Sequence, residues 1–565
     1  MTLDVPRPLT VDPIVLRMPA WSPGSYMVRE YARHVVSVEA MDYSGRAVPV
    51  RRVSKDRWRV AAPGGGPVHV EWLVYANELT VRSNHVDDTH AFVQPTATFL
   101  CPEGMEDRPL LVEVRAPRGW DVATSLRRAR GGTGGAKGFV FEAADQEALH
   151  DAPIHLGHLR RFPFRVRGVP HELVLWDSGN EDPKALVRDL AKIVEAGAKL
   201  FGSLPYDRFV VHGLLSDAGG GGLEHRDGFV FQLPRFGFKP RKSYDRALAL
   251  LAHEFFHAWN VRRIRPAGLL PYDLAQEKYT RLLWQFEGAT SYYEVILLAR
   301  AGLWSRARAL EAFAERIGQL MAVPGRREMS LADASLTAWV KYYRPDENSL
   351  NAAVSYYLKG ALAGLALDLH LRAGSGGRRS YDDAMRLLWR RYGRKDLPVP
   401  EIAMASILEE ACGVPSARLH RRLVEETAEI DWAGLWAPFG VTVEERPAGV
   451  PESWEAGGWL GVETEDKAGR TYFKSVRADG PSAEAVAAGD ELVALDGIRA
   501  TAESLPKRMA EKRPGTRVRL TLLRGDRLIG VEVSLGRPPE ERIALVPDPK
   551  ASPAEKRLLA GWLGE

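Results

Sequence analysis

Hydrophobic positions in the first 165 residues alternate over short runs, which is the pattern of half-buried β-strands. Runs at 35–38, 68–72 and 110–114 are rich in valine and leucine, and turns containing glycine, proline or serine separate them. Several short strands at this spacing predict an antiparallel, sandwich-like β-domain over residues 1–165.

From about residue 166 helical periodicity appears between the strands. Strands are predicted at 171–176, 209–215 and 228–233, and a helix is predicted at 183–201. Helices then dominate, at about 244–262, 276–302, 305–322, 352–372 and 379–393. These elements predict an α+β domain over 166–445, with a helical part at about 300–445.

Residues 456–537 return to short β-runs with two helical stretches, which predicts a further domain. The last stretch, 538–565, is predicted to be a tail with a short helix. Ser552 would cap this helix, Pro553 would be its first residue, and Glu555 stands three residues after the cap. The predicted fold class is therefore multidomain α+β.

The composition is that of an ordinary globular protein. Of the 565 residues, 45% are hydrophobic and 27% are charged, and the formal net charge is only +4. This balance predicts neither a nucleic acid nor a membrane as a partner. The two cysteines, Cys101 and Cys412, exclude a disulfide framework and a cysteine-based zinc cluster.

The N-terminal sequence lacks the basic segment and the apolar stretch of a secretory leader. The sequence contains no run of 18 apolar residues, so no transmembrane helix is predicted. We therefore expect a cytoplasmic protein, although a start codon further upstream could hide a leader.

The strongest chemical signal is the sequence His-Glu-Phe-Phe-His at residues 253–257, in an apolar helical run. Residues four apart share one face of a helix, so His253 and His257 can bind one metal ion. Glu254 follows the first ligand directly and can reach a water molecule on that metal. The alternative is a helix with two core histidines, which leaves the buried glutamate between them unexplained.

A zinc site needs a third protein ligand and an open position for water. The downstream candidates are Glu277, Glu287 and Glu294. Glu287 lies in an apolar helical stretch and is followed by Gly288, which permits close approach, so we predict Glu287 as the ligand. Glu277 lies in a polar stretch and Glu294 precedes a new apolar run, so simple solvation explains both. Two imidazoles and one carboxylate favour Zn²⁺ as the cofactor.

These residues resemble the glycyl aminopeptidase family of zinc peptidases, which belongs to the same broad clan as thermolysin and aminopeptidase N. Residues 253–266 resemble the family's zinc helix and its exit, and residues 283–292 resemble its third-ligand helix. Residues 19–26, Pro-Ala-Trp-Ser-Pro-Gly-Ser-Tyr, resemble a signature of its N-terminal β-domain. The resemblance implies a thermolysin-like catalytic domain over 166–445 and peptides as substrates.

The resemblance also implies residues that bind the substrate. Gly221, Gly222 and Glu224 look like the edge-strand motif of the clan, in which Glu224 would bind the free α-amino group. An ammonium group needs a carboxylate partner, and glycines let a peptide backbone approach closely. The alternative is a solvated surface turn. Tyr357 resembles a tyrosine that donates to the oxyanion, and Tyr356 is the adjacent alternative.

Residues 456–537 resemble a PDZ module of the bacterial type. Gly458, Trp459, Leu460 and Gly461 look like its carboxylate-binding loop. Such modules bind a peptide as an additional strand, so a peptide ligand of this groove is a second expected partner. A structural PDZ domain with a filled groove is an equal alternative.

The function implied by the resemblance is metal-assisted release of a small N-terminal residue, glycine or alanine by the family's name. Glu254 would act as the general base and Tyr357 would stabilise the oxyanion. Three alternatives remain open: a peptide-binding scaffold with a vestigial zinc site, an endopeptidase with the same chemistry, and hydrolysis of epoxides or esters. The intact motif at 253–257 counts against the scaffold.

Overall fold

The computed structural model describes residues 1–5, 13–61, 66–134, 138–217, 219–446 and 457–564. Contacts within the chain divide it into two compact units. The first comprises Met1–Tyr279, Ala301–Leu303 and Leu388–Pro400, and the second comprises Thr280–Arg300, Trp304–Leu387 and Glu401–Glu565. The interval between the predicted catalytic and PDZ domains lies almost entirely outside the described residues.

Within the described residues, no helix combines the length and the apolar character needed to cross a membrane.

The first unit opens with a β-rich region whose strands pair antiparallel. Burial alternates along these strands: in Val68–Val74 the residues Val68, Val70 and Trp72 point into the core. The β-rich character predicted for this region is thereby confirmed. Sheet by sheet, the described strands are Thr2–Val5, Val35–Asp42 and Val68–Val74; Ile14–Arg17, Val50–Arg52, Arg57–Val60 and Cys101–Pro102; His85–Val86, His90–Val93, Asp121–Ala123 and Ile154–Gly157; and Leu110–Arg115, Arg127–Gly134 and Gly138–Ala143.

A mixed sheet forms the centre of the first unit. In spatial order its described strands are Arg160–Val166, Val169–Trp176, Phe209–Leu215, Gly228–Leu233 and Gly221–His225. The strands on either side of Phe209–Leu215 run parallel to it, whereas Gly221–His225 pairs antiparallel with its neighbour. Among the described strands, Gly221–His225 therefore lies at an edge of the sheet, and we call it the edge strand.

Two long helices of the first unit pack against each other beside this sheet. The helix Pro183–Phe201 begins at Asp182, whose carboxylate accepts hydrogen bonds from two backbone amides. The helix Arg241–Phe256 contacts both this helix and the edge strand. Gly197 permits the contact between the helices, because a Cβ there would lie 2.8 Å from an aromatic ring of Arg241–Phe256. The unit also contains the helix Gln146–His150 and the paired short strands Arg265–Pro266 and Pro398–Val399.

The second unit is built around the helix Tyr356–Ser375, which is hydrophobic all round and therefore belongs in a core. The described residues of this helix include one buried carboxylate, that of Asp368. It accepts hydrogen bonds from the hydroxyl of Tyr292 at 2.6 Å and from the amide of Tyr381 at 2.7 Å. The guanidinium of Arg372 donates a third bond at 2.8 Å, which satisfies a charge that burial alone would make costly. The other described helices of this region are Ala289–Arg300, Arg306–Met321, Leu331–Leu336, Ser349–Ala352, Tyr381–Arg391, which begins in this unit, Ala403–Cys412, Ala417–Val424 and Trp432–Trp436.

The helix predicted at about 276–302 begins later in the structure. A π-helical turn at Trp284–Gly288 leads into the helix Ala289–Arg300. The carboxylate of Glu401 accepts hydrogen bonds from the hydroxyl of Thr280 at 2.8 Å and from the amide of Arg281 at 2.8 Å. These bonds come from a residue 120 positions away along the chain, so the local sequence pattern could not indicate them.

The described residues from 457 onward form a compact β-sheet and a final helix. In the sheet, the strands lie in the order Val462–Lys467, Arg470–Val476, Glu491–Leu495, Arg517–Arg524 and Arg527–Ser534, with Ile498–Arg499 paired to the third of them. The helix Ser504–Ala510 lies between these strands in sequence. A separate antiparallel pair is formed by Val441–Arg446 and Arg542–Pro547.

The helix Pro553–Leu563 is part of the core of the second unit. It begins at Ser552 with a capping box, as predicted. Trp562 is fully buried and packs its ring 5.6 Å from that of Phe313. Its indole nitrogen donates a hydrogen bond to the hydroxyl of Tyr292 at 3.2 Å. The last described helix therefore supports the helix Ala289–Arg300.

Gly288 packs directly against Gly360 of the central helix of the second unit. A Cβ at Gly288 would lie 2.5 Å from Cα of Gly360. We expect Gly288→Ala to lower the free energy of unfolding by about 1–3 kcal/mol through overpacking. Gly561→Ala is the matched control, because Gly561 is also helical and a Cβ there meets nothing within 4 Å. Thermal unfolding followed by circular dichroism measures both, and equal midpoints for the two variants would contradict the close packing.

Candidate metal centre and substrate site

The two histidines of the predicted motif lie at the end of the helix Arg241–Phe256, in the first unit. Their ring centroids are 4.8 Å apart, and His257 is buried. Nδ1 of His257 donates a hydrogen bond of 2.8 Å to the carbonyl oxygen of Asn260. Nε2 of His257 therefore keeps its lone pair, which is the form in which an imidazole binds a metal.

A strained turn holds Asn260 in place. Val261 has a φ of 86°, a conformation that β-branched residues rarely adopt and that costs about 1–3 kcal/mol. The amide of Val261 donates a hydrogen bond to the carbonyl of Ile264 at 3.0 Å. The packing around this turn thus fixes the carbonyl that orients His257. Valine favours extended backbone, so the sequence carries no signal for the turn.

Glu254 is buried and faces the edge strand. A Cβ at Gly222 would overlap with the carboxylate of Glu254 and would lie 2.5 Å from its Cγ. A side chain at this position would therefore displace the carboxylate of Glu254. The oxygen and nitrogen atoms that Glu224, Glu254 and His257 could offer to a metal all lie within 4.8 Å of one another.

Glu224, on the same strand, is covered by the N-terminal β-rich region. Gly24 has a φ of 92°, and a Cβ on it would overlap with both carboxylate oxygens of Glu224. Arg82, from the same region, donates a hydrogen bond to the carbonyl oxygen of Gly222 at 3.2 Å. These two contacts place the N-terminal β-rich region against the edge strand. They join residues more than a hundred positions apart, so sequence reasoning missed both.

A buried ion network lies beside Glu224. The carboxylate of Asp151 pairs with Arg262 and lies 3.2 Å from Nδ1 of His225. Burial alone would raise the pKa of Asp151, but Arg262 and His225 outweigh burial and lower it. A cavity of about 180 Å³ borders this network and is lined by, among others, Pro23 and Tyr272. No local sequence pattern marks Asp151, because its partners are distant in the chain.

Glu287 and Tyr357 lie together in the second unit. Glu287 is 2% exposed and belongs to the π-helical turn Trp284–Gly288, an irregularity that is frequent at functional sites. Burial first, and then the negative charge of Glu287, raise the pKa of Tyr357 well above its ordinary value. The hydroxyl of Tyr357 therefore stays protonated at neutral pH and can donate a hydrogen bond.

The alternatives to these residues have different surroundings. Glu294 forms an ion pair with Arg316 in the second unit. Glu277, in the first unit, lies in a segment without helix or strand. Tyr356 is fully buried, whereas Tyr357 is half-buried. Of the predicted site residues, the first unit thus brings together the histidine pair, Glu254, Gly222 and Glu224.

The predicted carboxylate-binding loop borders an apolar groove in the second unit. A cavity of about 190 Å³ is lined by all four loop residues, Gly458, Trp459, Leu460 and Gly461, and by the helix Ser504–Ala510. Gly461 has a φ of 76°, and a Cβ on it would lie 2.7 Å from Cα of Gly480. The strand Val462–Lys467, which follows the loop, is at the edge of its sheet among the described strands.

Known families match three parts of the chain. Residues 1–158 match the Peptidase M61 N-terminal domain, residues 246–363 match the M61 glycyl aminopeptidase, and residues 458–535 match the PDZ domain. A search among curated proteins gives no match.

Solved structures of peptidases resemble the chain. An aminopeptidase N family protein from Idiomarina loihiensis has 29% identity and a TM-score of 0.92 over 100% of this chain and 97% of its own. An M1 zinc metallopeptidase from Deinococcus radiodurans, bound to a Tyr-Ser-Ala substrate, has 15% identity and a TM-score of 0.47 over 76% and 89% of the two chains. Aminopeptidase A from Legionella pneumophila has 15% identity and a TM-score of 0.48 over 79% and 48%. The family matches confirm the predicted multidomain fold class with its PDZ domain.

The contact between Gly222 and Glu254 generates a prediction. Gly222→Ala would push the carboxylate of Glu254 aside, and a shift of about 1 Å in a catalytic group costs roughly 10²-fold in rate. We expect this loss in kcat for peptide hydrolysis, with an unchanged unfolding midpoint. Gly220→Ala is the control, because a Cβ there meets nothing closer than the carbonyl of Gln232 at 3.8 Å. Equal activity of the two variants would rule out the proposed clearance.

Proposed function

We propose, since this metallopeptidase carries the N-terminal and catalytic domains of the M61 glycyl aminopeptidase family, that it releases small N-terminal residues from peptides. The residue released would be glycine or alanine. The proposal rests on the histidine pair, on two buried carboxylates beside the edge strand, and on the way the N-terminal β-rich region covers one of them.

Zinc is the cofactor that we propose. Its ligands would be His253, His257 and Glu287. Two imidazoles and one carboxylate form a donor set typical of zinc enzymes, and the hydrogen bond from Nδ1 to the Asn260 carbonyl fixes the tautomer in which Nε2 of His257 carries the lone pair. Zinc held in this way polarises a substrate carbonyl and lowers the pKa of water.

Glu254 is proposed as the general base. It accepts a proton from the attacking water and later gives it to the amine that leaves. Its place against Gly222 supports this role, since the glycine leaves room for a peptide backbone beside the edge strand. Tyr357 is proposed to donate a hydrogen bond to the oxyanion, which requires the protonated hydroxyl that its raised pKa provides.

Glu224 is proposed to bind the α-amino group of the substrate. The observation that carries this proposal is the contact with Gly24, on which a Cβ would lie 2.4 Å from each carboxylate oxygen of Glu224. A peptide whose N-terminus is held by Glu224 would then meet the backbone around Gly24. An endopeptidase, which was the nearest alternative, needs this end of the cleft to be open.

A peptide is also proposed as the ligand of the PDZ domain. It would pair with the strand Val462–Lys467, with its carboxylate at the loop Gly458–Gly461 and an apolar side chain in the adjoining groove. Leu460, Leu505 and Met509 line this groove, which favours a hydrophobic residue at the C-terminus of the peptide.

Removing the base should separate metal binding from catalysis. We expect Glu254→Gln to lower kcat by roughly 10²-fold or more, because the amide cannot accept the proton. Bound zinc, measured by inductively coupled plasma mass spectrometry, should stay at the wild-type level. Glu287→Ala is the contrasting variant and should lose zinc. A Glu254→Gln enzyme that keeps most of its activity would remove Glu254 from the mechanism.

Removing the amino anchor should affect only substrates with a free amine. We expect Glu224→Ala to raise KM for aminoacyl p-nitroanilides, because the ammonium group loses its partner. The same panel with N-acetylated substrates is the control, and wild type should leave these uncleaved. Cleavage of the N-acetylated substrates by wild type at a comparable rate, or an unchanged KM for the free-amine set in Glu224→Ala, would contradict the anchor. Highest kcat/KM for glycyl or alanyl substrates is expected, and a preference for leucyl or arginyl substrates would refute the small-residue specificity.

A further inference from the structure

A second group of metal-binding side chains lies in the first unit, in a tight hairpin of the N-terminal β-rich region. The strands His85–Val86 and His90–Val93 pair antiparallel, and residues 87–89 connect them. Nε2 of His85 lies 3.0 Å from Oδ2 of Asp87, and Nδ1 of His90 lies 3.4 Å from Oδ1 of the same carboxylate. The hairpin therefore turns two imidazoles toward one carboxylate.

The turn of the hairpin fixes the Asp87 carboxylate. Its Oδ1 accepts hydrogen bonds from the amide of Thr89 at 2.7 Å, from the hydroxyl of Thr89 at 2.7 Å and from the amide of His90 at 3.0 Å. The carboxylate is thus held in one orientation.

The side chain of His90 is held in place by burial and by ring stacking. It is 0% exposed, and its ring stacks on that of Trp176 with centroids 3.6 Å apart. The stacking thus fixes the ring of His90 with its Nδ1 beside the Asp87 carboxylate.

We propose that His85, Asp87 and His90 bind a divalent transition-metal ion such as Zn²⁺. Their candidate ligand atoms all lie within 4.8 Å of one another. Tetrahedral zinc with bonds of about 2.0–2.2 Å spaces its ligands by roughly 3.3–3.6 Å. The separation of 3.4 Å between His90 Nδ1 and Asp87 Oδ1 lies in this range, and that of 3.0 Å between His85 Nε2 and Asp87 Oδ2 is shorter. The side chains of His85 and Asp87 are 15% and 37% exposed, so an ion can enter from solvent and water can complete its coordination.

The role of this ion is structural. The two-residue strand His85–Val86 lies at the end of its sheet among the described strands, and the ion would tie it to the strand His90–Val93. Through the stack of His90 on Trp176, it would also secure the N-terminal β-rich region on the central mixed sheet. The three residues are not among those proposed for catalysis, so hydrolysis should proceed without them.

Metal content of full-length protein tests the proposal. Wild type, His85→Ala, His253→Ala and the double variant are stripped with a chelating resin and dialysed against micromolar Zn²⁺, and bound zinc is then measured per chain. We expect about two zinc ions in wild type, about one in each single variant and none in the double variant. His85→Ala should keep wild-type kcat, and its unfolding midpoint should respond less to added Zn²⁺.

A control variant and a second ligand variant separate this proposal from its alternatives. His69→Ala removes another hairpin-strand imidazole that lies between two carboxylates, Asp4 and Glu71, and should leave the zinc content unchanged. Asp87→Asn keeps the oxygen that caps the turn but removes the charge, and should lose the same ion as His85→Ala. A His85→Ala protein with as much zinc as wild type would overturn the proposal. Loss of zinc in His85→Ala but not in His253→Ala would support it while refuting the proposed catalytic ligands.

Discussion

The structure depends on the clearance that two glycines give to two buried carboxylates. Gly222 leaves room for the carboxylate of Glu254, and Gly24 leaves room for that of Glu224. Burying such charges is costly unless partners are held in place, so the elements that carry them must be fixed. Three features hold these elements in place. They are the caps of the helix Pro183–Phe201, the Gly197 contact between the two long helices, and the Asp151–Arg262 ion pair beside Glu224.

The sequence pattern within a short segment predicted those features that arise from interactions within that segment. The helix Pro183–Phe201 and the strands Phe209–Leu215 and Gly228–Leu233 coincide with the predicted ranges, because helical periodicity marks the helix and short apolar runs mark the strands. The histidine motif could be read for the same reason, since residues four apart always meet on a helix. The family matches confirm the metallopeptidase and the PDZ domain, whereas the individual roles of Glu254, Glu224 and Tyr357 stay predictions.

Contacts between distant segments were beyond such reasoning. The carboxylate of Glu401 accepts hydrogen bonds from Thr280 and Arg281, which lie in a stretch that periodicity placed inside a helix. Gly24 and Arg82 approach the edge strand from a region about 140 to 200 residues away, as the separation of Arg82 and Gly222 illustrates. The positive φ of Val261 arises because surrounding packing overrides the preference of valine. Each of these features depends on the tertiary fold and leaves no mark in a short window of sequence.

The position of Trp562 has a consequence for synthesis on the ribosome. Its hydrogen bond joins it to Tyr292, which is 270 residues earlier in the chain. At elongation rates of about 5–20 residues per second, roughly 14 to 54 s pass between the two residues. During this interval the helix that continues from Glu287 lacks part of its native packing. The segment that carries Glu287 therefore reaches its full native packing only after residue 562 has been synthesised.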